Sequence, residues 1–83
     1  MQIQLRLFAS IREAVGQGTL TLETNATTVG GLRDELLARG APWEGVLARG
    51  RVVRASLDQA MVNEQAQLTP GCEVGFFPPV TGG

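Results

Sequence analysis

Apolar and polar residues alternate from Gln2 to Phe8, with Ile3, Leu5 and Leu7 on one parity and Gln4, Arg6 and Phe8 on the other. A period of two predicts a strand whose first set faces a core. Ser10 is placed to cap a short helical turn that runs to Val15, and Gly16 to stop it. After the Gly16-Gln17-Gly18 turn, Thr19–Glu23 alternates again with Leu20 and Leu22 inward, and is expected to form a hairpin with the first strand. The period then changes. Val29, Leu32, Leu36 and Leu37 make one helical stripe, with Thr27 or Thr28 as its cap, Asp34, Glu35 and Arg39 off it, and Gly40 as its C-terminal stop. Gly30-Gly31 weakens the first turn by roughly 1 kcal/mol per glycine, less near an end, unless the pair allows close packing on the sheet. Pro42-Trp43 begins a shorter helix that reaches about Ala48. Val52–Leu57 reads as a strand with Val53, Ala55 and Leu57 inward and Arg54 and Ser56 outward. Asp58-Gln59-Ala60 turns the chain, and Met61-Val62 is at most a short strand. Pro70-Gly71 suits a type II turn before a last strand, Glu73–Phe77, with Val74 and Phe76 inward and Gly75 and Phe77 outward.

The order is ββαββ with one short extra strand. It predicts an α+β chain of the β-grasp kind: a mixed sheet of about five strands with one main helix packed on one face. At 83 residues a single domain is expected. Its body spans residues 1–77, and residues 78–83 form an extended tail.

Composition narrows the chemistry. The apolar share, 43%, is that of a folded protein, and a net charge of −1 gives no electrostatic basis for binding nucleic acid or an anionic membrane. No apolar run approaches bilayer length and the first residues do not resemble a signal peptide, so a cytoplasmic chain is expected. The single cysteine, Cys72, agrees with a reducing compartment. Without histidine, and with one cysteine, the chain cannot assemble a Ser-His or Cys-His nucleophilic site, a histidine-cysteine zinc site or an iron–sulfur cluster. No metal or bound cofactor is expected. All seven basic residues are arginine, so no ε-amino group is present to accept an isopeptide bond. Cys72 and Trp43 are read as packing residues, the first beside a turn and the second over the end of the core.

The ending is the most distinctive stretch. Pro78 and Pro79 fix φ and bar helix, and they hold Phe77 extended, so the tail should project. Gly82 and Gly83 lack Cβ atoms and make the narrowest peptide available, suited to entering a tunnel in another protein. Gly-Gly alone carries little information, because termini are commonly frayed. Joined to an aromatic last strand and a Pro-Pro stem, it carries more.

Here the chain resembles the ubiquitin-like sulfur carriers that form the small subunit of molybdopterin synthase, the MoaD family. The resemblance rests on Phe-Phe-Pro-Pro-Val-Thr-Gly-Gly (Phe76–Gly83), and on Leu7-Phe8-Ala9-Ser10-Ile11-Arg12-Glu13 near the start. Thr28-Val29, Leu32-Arg33, Leu68-Thr69-Pro70-Gly71 and Glu73-Val74 match in between, so it covers the whole chain. Asp58 departs from the asparagine common at that turn.

The resemblance implies that the Gly83 carboxylate is adenylated by a ubiquitin-activating-like (MoeB-like) adenylyltransferase. Sulfur from a donor such as a cysteine desulfurase or rhodanese then replaces the adenylate. The glycyl adenylate and the 1-thioglycine thiocarboxylate would be transient states of this residue, with Pro78, Pro79, Val80, Thr81 and Gly82 forming the inserted arm. It further implies a large subunit (MoaE-like), joined in a heterotetramer, that supplies the catalytic pocket. There sulfur passes to cyclic pyranopterin monophosphate to form the dithiolene of molybdopterin, in molybdenum cofactor biosynthesis. The carrier itself would be non-catalytic.

Strand parity suggests where partners dock. Phe8 and Phe77 fall on the outward parity of neighbouring strands, which makes them a candidate protein-binding patch unless a loop of the chain covers them. Family position adds Met61. Arg6 and Arg54 share that outer face and are either partner contacts or solvated charges. Three other readings remain: a related carrier for thiamin thiazole or tRNA thiolation, a ubiquitin-like modifier of other proteins, and an interaction domain with an inert tail.

Overall fold

The computed structural model describes residues 1–79. Five strands form one sheet: β1 (Gln2–Leu7), β2 (Thr19–Glu23), β3 (Arg54–Leu57), β4 (Ala60–Val62) and β5 (Glu73–Phe77). Three helices accompany them: α1 (Ala9–Val15), α2 (Val29–Leu37) and α3 (Trp43–Leu47). The strand order is β2-β1-β5-β3-β4. The two end hairpins are antiparallel, and β1 and β5 run parallel at the centre. This is the mixed five-stranded β-grasp sheet expected from the pattern.

The inner face of the sheet carries the core. Ile3, Leu5 and Leu7 of β1 and Val74 and Phe76 of β5 are buried, and so are Val29, Leu32 and Leu36 from the α2 stripe. Leu37, at the margin of that stripe, is only half-buried. Trp43 closes one end of the core, and the Cys72 thiol packs inside it.

Several boundaries differ from the sequence expectation, each for a local reason. β1 ends at Leu7, and Phe8 becomes the extended N-cap of α1 (φ −129°, ψ 152°). Ser10 therefore lies within α1 and is not its cap; no side chain caps that helix. Thr28 does cap α2, its hydroxyl accepting from the Gly31 N–H at 3.1 Å. That helix ends at Leu37, because Arg39 and Gly40 donate to Leu36 and Leu37 in tighter three-residue turns before Gly40 (φ +81°) redirects the chain. β3 begins at Arg54, not Val52. Arg54 pairs with Phe77, and the next partners on that strand would be Pro78 and Pro79, which have no N–H to extend the ladder. Val52 is left 65% exposed.

Gly30-Gly31 does serve close packing, but not against the sheet. A Cβ on Gly30 would lie 3.1 Å from the Glu64 Cβ and 3.2 Å from the Glu64 carbonyl oxygen. The segment around Glu64 approaches so closely because its carbonyls satisfy the first amides of α2: Ala66 O accepts from Val29 at 3.0 Å and Glu64 O from Gly30 at 2.9 Å. The pattern also passed over Arg33. It is 4% exposed and pins α2 to the end of α3 and the segment after it. Its guanidinium donates to Leu47 O (2.7 Å), Ala48 O (2.7 Å), Arg51 O (3.1 Å) and Glu64 Oε2 (2.8 Å). Arg49 donates to the other Glu64 oxygen and to Asp34 Oδ1 at 2.7 Å. Among the described residues, no helix is long and apolar enough to cross a membrane.

Candidate functional site

With α1, α2 and the core on one side of the sheet, the other face is left to the residues of outward parity. Register sets its order. Gly75 of β5 lies between Arg6 of β1 and Ser56 of β3, Ser56 pairs with Met61 of β4, and Arg54 pairs with Phe77. These side chains lie on one face because directly opposed residues in a sheet point the same way.

Phe8 reaches this face from the junction of β1 and α1. Its N–H donates to Phe76 O at 3.3 Å, and its carbonyl accepts from Ile11 (3.2 Å) and Arg12 (3.3 Å), so the backbone is fixed while the ring turns outward. The ring meets Phe77 edge to face, with centroids 5.7 Å apart and planes at 86°. The Arg6 guanidinium carbon stands 5.2 Å from the Phe8 centroid, a cation–π arrangement. Glu73 approaches the other side of Arg6 at 3.9 Å. Phe8 and Met61 remain 37% and 58% exposed, large values for side chains of this kind.

Together they line a groove of about 840 Å³. Its apolar walls are Phe8, Ala9, Met61, Phe77, Pro78 and Pro79, and its polar margin is Arg6, Ser10, Ser56, Gln59 and Glu73. Pro78 and Pro79 also line a smaller hollow of about 240 Å³ with Ile11, Val46, Val52 and Val53. The root of the tail thus forms a ridge between two apolar depressions.

Of the residues expected at the docking face, Phe8, Phe77, Met61 and Arg6 come together with Pro78 and Pro79. Within the chain Arg6 meets Phe8 and Glu73, with its side chain 43% exposed. Arg54 shares the face but does not line the groove; it borders a separate hollow with Val52, Val53 and Met61. Val80, Thr81, Gly82 and Gly83 lie outside the described residues. The pattern did not single out Ala9, Ser10, Ser56, Gln59 and Glu73 as lining. Outward parity was available for Ser56, but the register that sets it beside Gly75 and Met61 was not.

The groove is suited to binding and holds little catalytic apparatus. Its charged groups, Arg6 and Glu73, face each other, and no cluster of three or more metal-ligating side chains occurs among the described residues. The thiol of Cys72 is buried on the opposite side of the sheet.

Comparison with known proteins agrees with this picture. The ThiS family model matches residues 5–83. The chain is 38% identical over 81 residues to the molybdopterin synthase sulfur carrier subunit of Escherichia coli (strain K12), covering 98% of this chain and 99% of that one. It is 32% identical over 81 residues to the subunit of the same name from Haemophilus influenzae, with the same coverage. Among solved structures, small archaeal modifier protein 1 from Haloferax volcanii superposes with a TM-score of 0.76 at 22% identity, covering 95% of this chain and 98% of that one. A chain from the complex of subunits 1 and 2 of the molybdopterin-converting factor from Helicobacter pylori gives 0.65 at 23% identity, covering 100% of both. These two likenesses establish the fold.

Proposed function

The chain belongs to the ThiS family, and on that premise we propose that it is the sulfur carrier subunit of a molybdopterin synthase. Near-full-length similarity to two curated sulfur carrier subunits supports this reading. The observation in the structure that carries it is the aromatic groove at the root of the tail, where Phe8, Met61 and Phe77 meet Pro78 and Pro79. A partner seated there would hold the body of the chain while the remaining residues run on toward its own interior.

In this proposal Gly83 is the reacting residue, with Pro78, Pro79, Val80, Thr81 and Gly82 as the inserted arm. A carboxylate resists nucleophiles because it is negatively charged. Adenylation by a ubiquitin-activating-like enzyme removes that charge and supplies a leaving group. The terminal sulfur of a desulfurase or rhodanese-type persulfide then displaces AMP to form an acyl disulfide, and a thiol reductant cleaves its S–S bond, leaving the thiocarboxylate on the carrier and a disulfide on the donor side. The glycyl adenylate and 1-thioglycine are the transient states of the carrier. The large subunit contributes the catalytic pocket, and the sulfur ends in the dithiolene of molybdopterin. Arg6 and Arg54 are proposed to contribute to the rim of the docking surface, where exposed charges steer association more than they strengthen it.

The test is intact mass after incubation with the adenylyltransferase, ATP and a sulfur donor. Replacement of one oxygen by sulfur on the full chain is expected, with no exchange on a chain lacking Gly83 that folds normally. A truncated chain that still sustained molybdopterin synthesis would sink the carrier reading. Exchange without any complex with the large subunit points to thiamin thiazole or tRNA thiolation instead, and covalent adducts on other proteins to a modifier.

A further inference from the structure

We infer that Gly75 and Ser56 form a steric pair that sets the shape of the groove, acting as positioning residues for the large subunit; this rests on the docking role proposed above. Gly75 is the central residue of β5 on the outer face, between Arg6 and Ser56. Its φ is not among the positive ones, so the backbone itself does not require glycine. The surrounding space bears on it instead. A Cβ at this position would collide with Ser56 Oγ and stand 3.3 Å from Phe8 Cε2.

The Phe8 ring therefore lies against the one outer-face residue of β5 that has no side chain. There it meets Phe77 edge to face at 5.7 Å and receives Arg6 at 5.2 Å. Ser56 occupies the space on the other flank of Gly75 and, through its pairing with Met61, sits between the aromatic wall and the methionine wall. The two contacts differ in kind. The one with Ser56 cannot be tolerated without movement, whereas the one with Phe8 needs a shift of only a few tenths of an ångström. Most of the conflict caused by a methyl group on Gly75 therefore lies with the Ser56 hydroxyl, and removing that hydroxyl relieves it.

The prediction is a rescue. Gly75→Ala should weaken binding of the large subunit by roughly threefold to tenfold, the low end of the cost of an inserted methyl, because the atom it meets most closely is a side-chain hydroxyl that can move. Ser56→Ala alone is the reference for the pair, and Ser56→Ala with Gly75→Ala should bind within about twofold of it, recovering most of the loss. Affinity by calorimetry, at a temperature well below every variant's melting point, is read beside the Phe8–Phe77 ring contact by nuclear Overhauser effect. Loss of that contact in Gly75→Ala and its return in the double variant should follow the affinity. Gly75→Ala binding as tightly as wild type, or a double variant as weak as Gly75→Ala, would overturn the inference and leave the docking reading standing. A wild-type chain that does not bind the large subunit overturns the docking reading itself, and this inference with it.

Discussion

The Arg33 cluster and the aromatic groove are both built around arginine, and they differ in what the arginine has left to offer. Arg33 is 4% exposed and directs its guanidinium at three backbone carbonyls and Glu64, all within the chain. Arg6 has a side chain 43% exposed, lies over one ring and stands 3.9 Å from one carboxylate. The first arrangement satisfies polar groups that folding would otherwise bury without partners, so it belongs to stability. The second leaves a cation, two aromatic rings and a methionine facing solvent, which folding alone gives no reason to do. A surface of that kind gains its stabilisation on binding. The two regions should accordingly respond oppositely to mutation.

The largest effect on stability is expected at Arg33. Arg33→Ala removes the donor from Leu47 O, Ala48 O and Arg51 O at once. At roughly 1 kcal/mol for each orphaned acceptor, the loss is about 3 kcal/mol, a large share of the total for a domain this small. Urea unfolding measures it. At temperatures where the variant remains folded, its affinity for the large subunit should match wild type, and a comparable loss of affinity would break the contrast between the two regions.

Phe77→Asp is the converse. Phe77 is half-buried and its principal aromatic contact is Phe8, so the change should cost only about 1 kcal/mol in stability. It places a charge at the centre of the groove, where loss of an aromatic anchor costs ~2 kcal/mol or more in binding. Analytical ultracentrifugation of the mixed subunits should find the complex lost, whereas unchanged affinity would remove Phe77 from the docking surface.

The same contrast explains what the sequence made legible. Alternation marked the inner and outer parities of β1 and β5, so Ile3, Leu5, Val74 and Phe76 were assigned to the core, and Phe8 and Phe77 to the other face. Such assignments need only the period of the strand. Ser56, Gln59 and Glu73 join the groove through register between strands distant in sequence, and no local pattern specifies that. Arg33 stood in the helix beside Leu32 as one more polar residue. Its burial follows from three carbonyls at the end of α3 and just after it, acceptors brought into place only once that segment has folded against α2. The start of β3 depended on register in the same way, since Pro78 and Pro79 stop the ladder at Arg54 only because β5 sets them against the residues preceding it. For the groove, the sequence revealed the aromatic residues that a partner would touch and concealed the small residues that shape it.

Glu64→Gln is the smallest perturbation, and it tests whether charge contributes to the Arg33 cluster or only hydrogen bonding does. Burial pushes the Glu64 carboxyl up, but hydrogen bonds from Arg49 and Arg33 outweigh this and hold it below the ordinary 4.5. The same contact with Glu64, followed by that with Asp34, raises Arg49. A carboxyl lowered by folding contributes stability that is fully present above its unfolded pKa and is lost as pH falls through its folded pKa. Melting temperature followed from neutrality down through the carboxyl range should therefore fall more steeply for wild type than for Glu64→Gln. The two curves should differ most near neutrality and converge in acid. Because the Glu64 side chain is 35% exposed, the difference should be modest and should shrink with added salt. The Gln amide keeps an oxygen to accept from Arg33, so parallel curves at all pH values would mean that Arg33 is held by hydrogen-bond geometry alone. The affinity of the groove for the large subunit should not change in either case, because Glu64 lies outside its lining.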